Sequence, residues 1–141
     1  MNRDSVSRNR YEFISYINYK DAVSIAGDCI MIVKLKQKYK KYPDLTYGQY
    51  YTVIGIEADD FRLLNDYDRP YLYPNRLFNI IDPQKPPDWV IEIGGSGEHY
   101  AYPPEINSSG FFEDFFDGKK QAVVIFWRVV NQRLAIMAKA S

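Results

Sequence analysis

The chain has one cysteine, Cys29, and one histidine, His99, among its 141 residues. A lone thiol excludes an intrachain disulfide and any multi-cysteine metal site, and a lone imidazole removes most zinc arrangements. Long apolar runs are missing as well, since none approaches the ~20 residues that a membrane helix requires. The opening MNRDSVSRNR sets no apolar stretch behind its charges, so no secretory signal is read there. Charge of one sign is not in excess: 18 Lys/Arg face 18 Asp/Glu, and the pI is 6.6. A dedicated nucleic-acid binder is usually far more basic, with a pI above ~9. These absences lead to the expectation of a soluble, cytoplasmic protein that contacts no membrane and holds no metal or cofactor.

What is present is enough for a core. Hydrophobic residues make up 46% of the chain and aromatics 16%, which excludes the apolar-poor, highly charged composition of a disordered segment. The length suits one domain, or one small domain with an appendage. Thirteen tyrosines stand out. A tyrosine buries a large ring and keeps a polar tip, so it serves a thin core and a binding surface equally well. Charge is also unevenly spread. Residues 1–41 carry nine Lys/Arg against four Asp/Glu, a net of +5, and residues 42–141 carry nine against fourteen, a net of −5.

The patterning divides the chain into three pieces. Residues 1–27 read as a helical segment, with Asn18 and Asp21 spaced as a capping box and Gly27 as its stop, although YEFISYI also alternates as a strand would. The middle, 28–82, is β-rich: CIMIVKLK, YYTVIGIE, FRLLN, YLYP and FNIID are five short strands. One long loop, 37–48, and then tight turns at Asp59-Asp60 and DYDRP separate them, which argues for a small barrel. Residues 83–141 begin with the proline-rich connector PQKPPDWV, whose Trp89 is expected to fold back as an anchor. The chain ends in AVVIFWRVVNQRLAIMAKAS, where Val123, Phe126, Trp127, Val130, Leu134 and Met137 recur at helical spacing behind a candidate N-cap, Asp117. A helix over 122–138 is expected there, a β-hairpin being the competing reading because AVVIFWRVV is strongly β-prone.

The order of parts in the middle piece resembles an SH3-like barrel. DLTYGQYYTVI (44–54) is similar to the end of that family's long first loop with its second strand. YLYPNRLFNIID (71–82) is similar to its ending, where a Pro-Asn step leads through a 3₁₀ turn into the last strand. The resemblance covers roughly residues 28–82 and implies a mainly β fold with α additions: a five-stranded SH3-like barrel, an N-terminal helical segment and a C-terminal helix. Small stand-alone barrels of this kind resemble phage or mobile-element accessory proteins, which implies a non-enzymatic protein-binding module that modulates or inhibits a host factor. The fold itself hosts many unrelated tasks.

In the SH3 family, loop tyrosines, a tryptophan, a proline and an aromatic near the 3₁₀ turn cradle a polyproline helix. By position, Tyr39 or Tyr42, Pro74 and Phe78 correspond to part of that surface, and Tyr71 and Tyr73 extend it. The third strand opens with Phe61-Arg62 in place of tryptophan, and Lys38, Lys40 and Lys41 make the loop basic where the family is acidic. A basic proline-rich ligand would be repelled, so the expected partner is another kind of protein, with self-association through the C-terminal helix an added possibility.

The alternative interface is KLKQKYKKY. Lys34, Lys36, Lys38 and Lys40 fall at period two and, with Lys41 and the interleaved tyrosines, would contact phosphates and stack on bases. A solvated, aggregation-resistant strand face explains the same lysines. Asp59, Asp60, Asp66 and Asp68 suit turns, and Glu113, Asp114 and Asp117 suit a helix start, better than either group suits a metal. The glycine-rich GGSGEHYAYPPE (94–105) lacks the Gly-Lys-Ser/Thr end of a phosphate loop, and His99 lacks an evident catalytic set. It reads as a flexible turn between the Trp89 anchor and the C-terminal helix.

Overall fold

The computed structural model describes residues 31–139. The expectations for the N-terminal segment 1–27 and for Cys29 lie outside the described residues, as do those for the Leu134 and Met137 side chains. Short β-prone runs separated by polar connections set out the first five strands. β1 (Ile32–Leu35) leads through the long loop into β2 (Tyr50–Glu57), then β3 (Asp60–Leu64), β4 (Pro70–Pro74), a 3₁₀ turn at Asn75–Leu77 and β5 (Phe78–Asp82). All pairings are antiparallel, and the spatial order is β4-β3-β2-β1-β5.

Two further strands correct the expected count of five and the reading of a five-stranded barrel. β6 (Val90–Ile93) and β7 (His99–Tyr102) form a hairpin, and β7 pairs with Ile56 and Glu57 of β2, giving one seven-stranded sheet. GGSGE, expected as a flexible turn leading to the C-terminal helix, is therefore the turn of this hairpin. Gly94 and Glu98 close it through a 2.8 Å N–H···O bond, and Gly97 turns the chain at φ +84°. Length explains how β2 accepts the addition. It pairs with β1 through Tyr50–Thr52 and with β7 through Ile56 and Glu57 on one edge, leaving the other edge to β3.

The sheet has a core on each face. On one, Val33, Leu35, Tyr51, Val53, Phe61, Leu63 and Phe78 pack with Leu77 and with Trp89, which is buried as an anchor. A register shift in β2 between Val53 and Gly55 inserts one residue, so Val53 and Ile56 both face this core while Ile54 faces the other. The second core is built on Ile54, Tyr102 and Ile106 by two helices, α1 (Phe111–Phe116) and α2 (Lys120–Lys139).

The long C-terminal element is helical, because Ala122, Phe126, Val129 and Val130 present one apolar stripe to the second core. Phe126 is fully buried, an environment that contributes about 2–3 kcal/mol for a side chain of this kind. The short α1 was not expected as a separate element, and it moves Asp117. Instead of starting the long helix, Asp117 closes α1, its N–H donating to the Glu113 carbonyl at 2.9 Å. Glu113 and Asp114 do occupy a first helical turn, that of α1.

Candidate functional site

Asn65 organises the turn between β3 and β4. Its Oδ1 accepts the backbone N–H groups of Tyr67 (2.9 Å) and Arg69 (3.0 Å), which folds the DYDRP turn through local hydrogen bonds. Its Nδ2 donates to the Asp44 carboxylate and to the Tyr73 hydroxyl, both at 3.2 Å, and that hydroxyl donates to the same carboxylate at 2.5 Å. Burial, then the hydrogen bond to Asp44, pushes the Tyr73 hydroxyl well above the ordinary tyrosine value. Beside it, Thr46 Oγ1 and the Tyr51 hydroxyl donate to Asp66 at 2.6 and 2.7 Å. The long loop and the turn are thus bolted together by side chains 20 or more residues apart.

Over this bolt lies an open depression of about 640 Å³, lined by Lys41, Tyr42, Asp44, Tyr67, Arg69 and Tyr71 among others. Tyr42 packs edge-on against Tyr73 (5.9 Å) and Tyr39 edge-on against Tyr42 (6.3 Å). Tyr71 is 42% exposed with its ring 5.4 Å from Phe116 of α1, and Tyr67 is 65% exposed. The Arg69 guanidinium lies over Phe116 (5.2 Å) and Phe115 (5.4 Å), tying the depression to α1.

The expected aromatic surface is therefore only partly assembled. Tyr42, Tyr71 and Tyr73 share the depression, with Tyr39 behind Tyr42. Phe78 does not join them; its side chain is 4% exposed and packs against Tyr51 (6.3 Å) and Phe61 (6.2 Å). Its place at the start of β5, opposite Leu35, turns it into the core. Among the lysines, only Lys34 lies in a strand, over the Tyr50 ring at 5.2 Å. The strand ends at Leu35, so Lys36, Lys38, Lys40 and Lys41 do not continue its period-two face and stand exposed along the loop.

A second site was missed in the sequence. Arg62, 7% exposed, donates from Nε to the Tyr102 hydroxyl (2.6 Å), from one terminal nitrogen to the Pro70 carbonyl (2.7 Å) and from the other to Glu57 (2.9 Å). The Tyr102 hydroxyl donates in turn to the same Glu57 oxygen at 2.6 Å, and the guanidinium stacks on the Phe112 ring at 3.8 Å. Burial raises the Tyr102 hydroxyl well above its ordinary value, and Arg62 partly opposes that rise. This network forms part of the wall of an open cleft of about 590 Å³ between β6, β7 and the start of α1, which also includes Glu92 and Glu113. The available signal was Arg62 itself, a charge flanked by Phe61 and Leu63 within β3.

His99 begins β7 opposite Ile93 and is exposed, and among the described residues no hydrogen bond joins it to Ser96. Among the described residues no cluster of His, Cys, Asp and Glu could hold a metal ion, and no helix is long and apolar enough to cross a membrane. Comparison with protein-family profiles, curated proteins and solved structures finds no match to this chain.

Proposed function

We propose that this chain is a protein-binding module that receives a partner in the depression between the long loop and the β3–β4 turn. The observation that carries the proposal is a pair of exposed tyrosines, Tyr67 on the β3–β4 turn and Tyr71 on β4, with Arg69 between them, beside a turn that Asn65 already holds by hydrogen bonds. Tyrosine and arginine are the residue types that dominate interface energetics, and a surface that needs no ordering on binding avoids much of the entropic cost. Lys41 and Arg69 line the depression, while its carboxylate, Asp44, is occupied by Tyr73 and Asn65. An acidic segment is the complementary ligand, the opposite of a basic proline-rich peptide.

The SH3-like reading is supported by the order β4-β3-β2-β1-β5, the long loop between β1 and β2 and the 3₁₀ turn before β5. The β6–β7 hairpin and the helical layer on Ile54 are additions to that pattern. A module of this form acts by occupying a site on its partner, which is how it would modulate or inhibit a host factor.

The test is affinity capture from the natural host with the wild type, a Tyr67→Ala/Tyr71→Ala variant and a Val124→Ala control, each checked for native folding. A stoichiometric partner retained by the wild type and the control but lost with the double variant supports the proposal. Equal capture by all three refutes this surface as the interface.

A further inference from the structure

The described sheet has an edge strand unlike its others. β4 is bounded by Pro70 and Pro74, which lack N–H groups, and β5 exposes Asn79 and Ile80 but buries Phe78 and half-buries Ile81 and Asp82. Every residue of β6 is exposed, and three of its four side chains are apolar: Val90 at 36%, Ile91 at 57% and Ile93 at 66%. It carries no lysine or proline to protect it. Among the described residues β6 pairs with β7 alone.

Hydrogen-bond phase shows which groups face outward. The Gly94 N–H bonds to the Glu98 carbonyl, and in an antiparallel ladder every second residue pair exchanges bonds. The pairs Glu92–Tyr100 and Val90–Tyr102 are therefore the bonded ones, and the N–H and C=O groups of Ile91 and Ile93 point to the edge left unpaired among the described residues. The Ala58 N–H bond to the His99 carbonyl agrees, since it turns His99's backbone away from β6.

The two faces of β6 differ. Ile91 stands opposite Ala101, a residue of the first core, and extends that apolar face outward. On the other face Glu92 lies opposite Tyr100 in the cleft that also includes Glu57 and Glu113. Among the described residues the cleft's single cation, Arg62, is consumed by Glu57, Tyr102 and Pro70, so the lining they form is negative. A second copy of this chain would bring Glu92 and a surface with the same negative lining against it, which charge disfavours.

From this we infer that the free edge of β6 accepts an extended segment of another protein in which basic residues alternate with apolar ones. The segment adds as a strand, its backbone pairing with Ile91 and Ile93. Its apolar side chains continue the Ile91–Ile93 face, and its Lys or Arg side chains reach Glu92 and Glu113. This surface shares no residue with the tyrosine-lined depression, so either can fail alone.

The experiment uses the full chain and a short synthetic peptide alternating lysine and valine, with a glutamate–valine peptide of equal length as comparison. Binding is followed by fluorescence anisotropy at two salt concentrations and mapped by amide hydrogen exchange. The expected result is salt-sensitive binding of the lysine peptide alone, with slowed exchange at Ile91 and Ile93. Glu92→Lys, which also removes an exposed hydrogen bond from Asn107 Nδ2, should weaken it by about tenfold or more. Ile93→Lys, a second variant at an exposed position, should also weaken it. Equal binding of both peptides, protection elsewhere, or no binding overturns the inference. So does concentration-dependent protection of β6 without peptide, which would make a second copy the occupant.

Discussion

The Tyr73 hydroxyl donates a 2.5 Å hydrogen bond to the carboxylate of Asp44, 29 residues earlier in the chain. Tyr73 sits on β4 with its ring in the core, whereas Asp44 lies in the long loop, so this contact fixes the loop to the sheet. Tyr73→Phe keeps the ring and leaves Asp44 and Asn65 with one partner fewer. A loss of about 1–2 kcal/mol is expected, the cost of unpairing a buried polar group. Urea unfolding of the wild type and variant measures it, and an unchanged midpoint would mean that water replaces the hydroxyl.

Alkaline pH tests the same bond differently. Tyr73 and Tyr102 both ionise in the folded protein well above the ordinary value, first because of burial and then through their carboxylate partners Asp44 and Glu57. Unfolded tyrosine ionises near pH 10, so above that point the unfolded chain releases protons that the folded one retains. The stabilising contribution is complete below about pH 10 and declines above it. Unfolding free energy should therefore fall as the pH is raised through this region, less steeply in Tyr73→Phe. Absorbance titration should show a set of tyrosines that ionise only on unfolding.

Phe126 holds the helical layer. Its ring centroid lies 4.7 Å from that of Phe115 and 6.0 Å from that of Phe112, both on α1, and it has no exposed surface. Phe126→Ala should cost about 3–5 kcal/mol through the cavity it leaves. Val124, 48% exposed on the same helix, should tolerate alanine within about 0.5 kcal/mol. Chemical denaturation of both variants checks the contrast.

β-prone composition and turn chemistry made β1 to β5 legible, because short apolar and aromatic runs are separated by connections that carry Asp or Asn. Trp89 was legible as an anchor from its size beside a proline-rich connector. β6 and β7 were not, since VIEI has no buried face to produce alternation and the glycines next to it read as slack chain. Phe78 misled for a related reason: position in a resemblance suggested a surface, while its register opposite Leu35 sends it inward. The cleft network was hidden because Glu57, Arg62 and Tyr102 come together only through β7 joining β2, a pairing that local sequence does not encode.

Gly55 shows how closely that joining is fitted. A Cβ placed there would lie 2.0 Å from the Tyr102 ring, which Glu57, Arg62 and Phe112 already hold in place. In an open strand, replacing glycine by alanine favours folding by roughly 0.5–1 kcal/mol, so propensity alone predicts a more stable protein. The steric reading predicts the opposite sign, a loss of about 1–3 kcal/mol for Gly55→Ala as β7 or the ring is pushed away. Tyr102→Leu removes the obstructing ring at its own cost. If the clash is the cause, adding Gly55→Ala to Tyr102→Leu should cost markedly less than adding it to the wild type. A double-mutant cycle by urea unfolding reads this directly, and strictly additive losses would show that Gly55 is required for the backbone of β2 and not for the approach of Tyr102.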